Sequence, residues 1–239
     1  MSAPPVHGPE RAKPPGTFAV ARLILAKDLR VELRTLESVP AMLIFATTIF
    51  VIFRFGLDET RLEGSLAAGV LLITILFASL LAINRIFVAE REQGGFEAIR
   101  LAPVDGTALF LAKAGALFLL LAALEVVALP IFTLFFLDSA EGLLPLLPVL
   151  ALLNAGIATS GALISSMATN SRARDLLAPL ILLPLLVPAL IAAAAAGRDL
   201  LLAGGPSYED YGQWLAILAL YDLVFVLIGY AVFDFLLED

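Results

Sequence analysis

Two acidic residues, Glu125 and Asp222, stand out chemically because each interrupts a long apolar stretch of the sequence. If these stretches cross a membrane, a carboxylate near their middle costs at least about 2.5 kcal/mol and should face other helices rather than lipid. Such a residue would couple helices through a polar contact or act as a proton-linked switch. The alternative is a protonated or hydrogen-bonded packing residue, and the sequence leaves both interpretations open.

Other reactive side chains are scarce. The chain has no cysteine, which excludes disulfides, thiolate metal sites and thiol catalysis. Its single histidine, His7, lies in a proline-rich N-terminal segment, and no phosphate-binding G-x-x-x-x-G-K-[ST] motif occurs. We therefore predict no catalytic residue, no metal site and no ATPase activity in this chain, so that any ATP hydrolysis would take place on a partner.

A charged segment with two adjacent glycines, VAEREQGGFEAIRLAPVDG at residues 88–106, separates two apolar stretches. The glycines allow a turn, and a short helix ended by proline should follow. A short helix beneath the membrane would transmit a push from a soluble partner, whereas the alternative is a solvated connector. We predict a cytoplasmic coupling loop over 85–113 whose contact residues are Glu90, Gly94, Gly95, Glu97, Arg100 and Pro103.

The elements that must position these residues are membrane helices. Hydrophobic residues make up 61% of the chain and charged residues only 15%, far from the balance of a soluble domain. Runs of about 20 apolar residues are long enough to cross the hydrocarbon. We predict an all-α polytopic membrane protein with six transmembrane helices, at 38–57, 64–84, 114–137, 142–168, 176–197 and 212–233.

Lysine and arginine predict the orientation of these spans. Twelve of the fifteen lie on one side, in residues 1–37, 85–113 and 170–175, and three lie on the other. Positive charge marks the cytoplasmic side. We therefore predict that both termini are cytoplasmic and that the protein spans the cell (inner) membrane several times.

The segment before the first span is amphipathic. Residues 18–37 carry Leu25, Leu29, Leu33 and Leu36 at helical spacing, with basic and acidic residues on the other faces. This pattern favours a helix lying in the cytoplasmic interface as an elbow, and the alternative is a short helix packed on the body. Residues 1–17 are predicted to be a disordered extension, and residues 38–239 to form the permease domain.

Prolines and aromatic residues predict further features of the spans. Pro184 and Pro188 fall on one face of the fifth span and predict a kink or re-entrant break, with static packing as the alternative. Two aromatic groups lie near predicted external boundaries, where anchoring at the membrane interface is expected. These groups are Phe132, Phe135, Phe136 and Tyr208, Tyr211, Trp214.

The sequence resembles the CcmB family, the membrane subunits of an ABC transporter for cytochrome c maturation. The resemblance covers residues 20–235 and is strongest in three segments: the elbow KDLRVELR, residues 78–113, and DLLAPLILLPLLVPALIAA with Pro184 and Pro188. Within 78–113 the matching residues are Arg85, Phe87, Glu90, Gly94, Glu97, Pro103 and Lys113. Other ABC-2-type exporters carry a similar loop, so the loop alone is only moderately specific.

The resemblance implies a partner ABC ATPase, a homodimer of permeases, a heme-handling membrane partner and a heme chaperone. It also implies heme export, or heme-chaperone release, for c-type cytochromes. Heme iron is held by His, Met, Cys or Tyr; this chain has no cysteine, one histidine in its N-terminal segment, and Met42 and Met167 as the only methionines after the first residue. We therefore predict no cofactor bound through this chain, with heme only as cargo of the complex. The rivals are an exporter of a drug, lipid or polysaccharide, and a non-transporting assembly scaffold.

Overall fold

The protein folds as a bundle of long helices. The computed structural model describes residues 16–57, 61–92, 106–167, 174–202 and 204–238. Within these ranges it contains seven helices and no strand. They are α1 (Thr17–Thr35), α2 (Ser38–Gly56), α3 (Gly64–Glu92), α4 (Gly106–Phe136), α5 (Leu143–Met167), α6 (Arg174–Leu200) and α7 (Tyr211–Glu238). Helices α2 to α7 are long and apolar enough to cross a membrane, which confirms the six predicted spans.

Hydrogen bonds at one end of the bundle show which helix ends lie on the same side. The amide of Leu62, just before α3, donates to the carbonyl of Phe136 at the end of α4 (2.8 Å). The amide of Gly64 donates to the carbonyl of Leu201, just after α6 (2.6 Å). The ends of α2, α4 and α6 therefore meet on one side, which corresponds to the predicted external side.

The helices on either side of the predicted coupling loop are longer than the apolar spans. Helix α3 continues past Arg85 to Glu92, as the pattern of residues 83–90 indicates. Helix α4 begins at Gly106 rather than at residue 114, because the apolar residues that precede Lys113 are buried and extend the helix. Residues 93–105, the middle of the predicted 85–113 loop, lie outside the described residues.

The prediction that Phe132 and Phe136 anchor the protein at the membrane interface is wrong. Both side chains are almost fully buried, and their rings lie 5.5 and 5.9 Å from the ring of Phe50 on α2. The two residues are four apart and therefore share one face of α4. This aromatic cluster joins α2 to α4 near the predicted external side.

Helix α6 runs without interruption through its prolines. Pro179, Pro184 and Pro188 all lie inside it, so there is no re-entrant break, and a kink at Pro184 and Pro188 remains a prediction. Neighbouring helices can donate to carbonyls near a proline in a membrane bundle. Here the hydroxyl of Tyr221 on α7 donates to the carbonyl of Leu185, between two of the prolines (3.3 Å).

Candidate functional site

A tight elbow joins α1 to α2. Leu36 follows the last residue of α1 and lies in the left-handed region (φ 47°, ψ 46°), and its amide donates to the carbonyl of Glu32 (2.7 Å). The carboxylate of Glu32 then accepts hydrogen bonds from the amide and hydroxyl of Ser38 (2.8 and 2.6 Å). An acidic group at a helix N-terminus is favourable because it satisfies free amides and opposes the helix dipole. Glu32 therefore fixes the direction in which the chain enters the first span.

A buried ion pair fastens α1 to α4. The ammonium of Lys113 lies 2.8 Å from Asp28 Oδ2, and its side chain is only 3% exposed. Beside this pair, Leu25 contacts Gly115, where an added Cβ would meet a leucine methyl at 3.4 Å. The face of α1 that meets the body thus includes Leu25 and Asp28, whereas Leu33 is exposed. The exposed apolar residues of α1 support the predicted position in the membrane interface, which remains a prediction.

A second ion pair connects the elbow to α3. Arg85 Nη1 lies 2.8 Å from Glu37 Oε2, and both side chains are substantially exposed. Arg85 and Lys113 are the two residues that bound the predicted coupling loop. Both therefore bind the same elbow, so the elbow contacts the helices that carry each end of the loop.

The predicted contact residues of the loop are mostly outside the described residues. Glu90 lies in the last turns of α3, beyond Arg85. The other residues predicted to make this contact, all outside the described ranges, are Gly94, Gly95, Glu97, Arg100 and Pro103. Their role in coupling remains a prediction.

The first intramembrane acid pairs with an amide. The side chain of Glu125 on α4 lies within hydrogen-bonding reach of Asn154 on α5, and the two are 8% and 1% exposed. Glu125 Oε1 and Asn154 Oδ1 have no hydrogen-bond partner among the described residues. The sequence did not identify Asn154, although an amide within an apolar span was a usable signal.

The second intramembrane acid lies against a glycine. Asp222 on α7 is 9% exposed, and neither carboxylate oxygen has a hydrogen-bond partner in the described part of the chain. A Cβ added at Gly156 on α5 would lie 2.8 Å from Asp222 Oδ1 and 2.9 Å from the Tyr221 ring. Only a residue without a side chain fits at 156, so Gly156 allows α5 and α7 to approach closely.

Helix α5 separates the two acids. Its contact residues, Asn154 and Gly156, are two positions apart, which is about 200° around a helix and about 3 Å along it. Glu125 and Asp222 therefore lie on opposite sides of α5 at nearly the same depth. Both face the bundle, as predicted, but they form two separate sites.

We expect Glu125→Ala to impair folding and assembly more than Glu141→Ala. The first change removes the partner of a buried amide, a loss of about 1 kcal/mol in a membrane bundle. Glu141 is exposed beside a cavity of about 710 Å³ at the predicted external end. The measurement is the melting temperature in detergent and the yield of intact complex. Equal, small effects would show that Glu125 is an ordinary packing residue.

No group of three His, Asp or Glu side chains that could hold a metal ion occurs within the described ranges. Met42, one of the two methionines considered as heme ligands, is completely buried in the core on α2. Met167 ends α5, at the edge of the described residues.

Comparison with known proteins identifies relatives along most of the chain. Residues 19–235 match the model of a family described as CcmB protein. Three curated relatives, each called heme exporter protein B, are similar. That of Rhodobacter capsulatus is 29% identical over 171 residues, 71% of this chain and 78% of the relative. Those of Bradyrhizobium diazoefficiens and Pseudomonas aeruginosa are 28% and 29% identical, over 86% and 83% of this chain and 91% and 89% of the relatives.

Proposed function

The chain belongs to the CcmB protein family, and we propose that it is the membrane subunit of an ABC transporter for heme export in cytochrome c maturation. Three relatives named heme exporter protein B, each matched over most of its length, support this function. Heme is the cargo of the complex, or of a heme chaperone that the complex releases. The chain itself is a non-catalytic subunit, and ATP hydrolysis takes place on a partner ABC ATPase.

Two salt bridges at the elbow support a role for this chain in coupling the ATPase to the transmembrane helices. Arg85 on α3 binds Glu37, and Lys113 on α4 binds Asp28. A force applied to the loop between these helices would reach the first span through α1 as well as through α3 and α4. The elbow and the coupling loop thus act as one unit that converts ATPase movement into rearrangement of the bundle.

The proposal extends to the rest of the complex. Two permeases and two ATPases assemble in the inner membrane with both termini in the cytoplasm, together with a heme-handling membrane partner. The distribution of lysine and arginine supports this orientation. The lack of cysteine and the small numbers of histidine and methionine support a subunit that moves heme or its carrier without binding the iron.

We expect Gly94→Pro and Glu97→Arg each to abolish co-purification of an ABC ATPase with this chain from native membranes. Proline would prevent the predicted turn, and arginine would reverse a charge on the predicted contact helix. The measurement is the ratio of ATPase to permease in the eluate, with a loss of about tenfold or more expected. A matched control is Arg61→Ala, a change at the predicted external end, where Arg61 binds Asp138 (3.1 Å).

The proteins in the same eluate distinguish the rival functions. A heme-handling membrane protein beside the ATPase supports heme export, whereas its absence favours another ABC-2-type exporter. Full retention of the ATPase by both variants would overturn the coupling role of the loop. An ATPase whose turnover does not respond to the permease would favour an assembly scaffold.

A further inference from the structure

A groove between α4 and α5 opens sideways from the bundle beside Glu125. Its volume is about 360 Å³, and apolar side chains form its walls, among them Phe118, Leu129 and Leu147. Glu125 and Asn154 form its floor. We name it the α4–α5 groove. It is the place where two almost completely buried polar side chains meet an opening toward the surroundings of the bundle.

The floor of the α4–α5 groove contains hydrogen-bond acceptors to which no group in the described part of the chain donates a hydrogen bond. Glu125 Oε1 and Asn154 Oδ1 have no partner among the described residues. Pro130, which also lines the groove, has no N–H, so the carbonyl of Val126 lacks the donor that a helix normally supplies four residues on. Two unpaired side-chain oxygens and the stretch of α4 that lacks the Pro130 N–H thus line the same groove. A buried acceptor left unpaired in hydrocarbon is costly, so the site favours a donor-rich group.

The depth of the α4–α5 groove limits what can reach it. Glu125 lies 11 residues before Phe136, which is the external end of α4. This is about 16 Å along a helix, close to the middle of a hydrocarbon core about 30 Å thick. Lipid head groups lie at the surface of the membrane and are too far away. A side chain on another transmembrane helix is at the right depth.

The number and charge of the acceptors indicate the kind of side chain. Lysine offers three donors and arginine five, whereas a hydroxyl offers one. A carboxylate in the membrane is also stabilised by a paired cation. The described spans of a second copy of this chain do not supply that cation at this depth. Within the described spans, Arg54, Arg85 and Arg198 lie near span ends, and Lys113 is about 34 Å along α4 from Phe136.

We propose that the α4–α5 groove is the docking site for a transmembrane helix of a different membrane protein, which inserts a lysine or arginine between Glu125 and Asn154. The apolar walls pack against the partner helix, and the floor accepts the hydrogen bonds of its cation. This inference rests on the proposed function only in that the chain works within a complex of several membrane proteins.

The test is site-specific photo-crosslinking of the full chain in native membranes. Benzoylphenylalanine replaces Val126, a groove residue that is 74% exposed, or Leu220, a control on α7 that is 61% exposed. Leu220 lies nine residues into α7, at a depth of about 14 Å from its external end. We expect an adduct from Val126, but not from Leu220, with a helix of another membrane protein. Mass spectrometry should locate the crosslinked residue of the partner helix and show a lysine or arginine of that helix within about one turn of it.

Variants of Glu125 test the chemistry of the contact. Glu125→Leu should lower the yield of the adduct by about fivefold, the factor that corresponds to one interhelical polar contact. Glu125→Gln keeps the shape of the side chain and removes its charge, and it should also lower the yield of the adduct. Replacement of the partner's cation by leucine should have no further effect in the Glu125→Leu background, because the two residues act as one pair.

Several results would overturn the docking site. They are adducts with lipid only, adducts with a second copy of this chain, a partner helix without lysine or arginine near the contact, no adduct at Val126, and yields unchanged by both Glu125 variants.

ATPase co-purification is measured in the same membranes. If the ATPase is retained while the adduct is absent, the docking site is wrong and the proposed function stands. If the ATPase is absent from the unmodified chain, the proposed function fails independently of the groove.

Discussion

Replacement of Asp28 by leucine should lower the stability of the purified chain substantially, with a loss of about 2 to 4 kcal/mol. The change removes the carboxylate that neutralises Lys113, whose side chain is 3% exposed. Removing one member of a buried ion pair is strongly destabilising, because the remaining charge keeps its desolvation cost and loses its attraction. The measurement is the melting temperature in detergent, followed by the amount of ATPase that co-purifies.

The matched controls separate the ion pair from general effects of charge. Arg30→Met removes an exposed charge from the same helix and should change the melting temperature little. The double variant Asp28→Leu with Lys113→Met removes both charges and should recover most of the stability, because well-packed apolar residues can replace a buried pair. A double variant as unstable as the sum of the single variants would contradict this account of α1.

Loss of the Asp28 carboxylate should also change how the elbow transmits movement. If Asp28→Leu releases α1 from α4, the ion pair between Glu37 and Arg85 still joins the elbow to α3. ATPase binding should then persist, whereas stimulation of its turnover by the permease should fall. Unchanged turnover with a released elbow would mean that the elbow does not transmit movement.

Substitution of Gly156 should also be strongly damaging, because a side chain at this position would push α5 away from α7. A Cβ at this position would lie 2.8 Å from Asp222 Oδ1 and 2.9 Å from two atoms of the Tyr221 ring, closer than real contacts allow. Overpacking of this kind costs about 1 to 3 kcal/mol. Gly156→Ala should therefore lower the melting temperature clearly, and Gly156→Leu should prevent recovery of folded protein.

Gly69→Ala is the control for this effect. Gly69 lies in the α3 span, and a Cβ added there would have no atom within 4 Å, so alanine should be neutral or slightly stabilising. Combining Gly156→Ala with Asp222→Ala should relieve part of the damage, because the carboxylate oxygen that obstructs the Cβ is removed. If Gly156→Ala behaves like Gly69→Ala, the close contact between α5 and α7 is absent from the folded protein.

The two intramembrane acids have different surroundings, although they look equivalent in the sequence. Glu125 has an amide partner and an open groove, whereas Asp222 has a glycine and an aromatic ring as neighbours. Glu125 is therefore suited to contact another protein, and Asp222 is suited to a contact within the bundle. Periodicity cannot distinguish them, because both lie in spans that are apolar on every face.

The sequence by itself determined the fold class, the six spans and the continuation of α3 beyond the membrane. These features depend on the length and composition of continuous segments, which the bilayer constrains directly. The orientation predicted from Lys and Arg has the same local basis. The similarity to the CcmB family was also visible in the residues of the elbow, the loop and the fifth span.

Only the tertiary structure decided which residues meet. The pairing of Asp28 with Lys113 joins positions 85 residues apart, and the burial of Phe132 and Phe136 depends on Phe50 from another helix. In lipid, apolar residues face outward as well as inward, so hydrophobicity does not reveal which face of a helix is buried. The contacts of Asn154 and Gly156 follow from the packing of α5 between α4 and α7, and that packing is decided by steric fit and hydrogen bonding across the bundle.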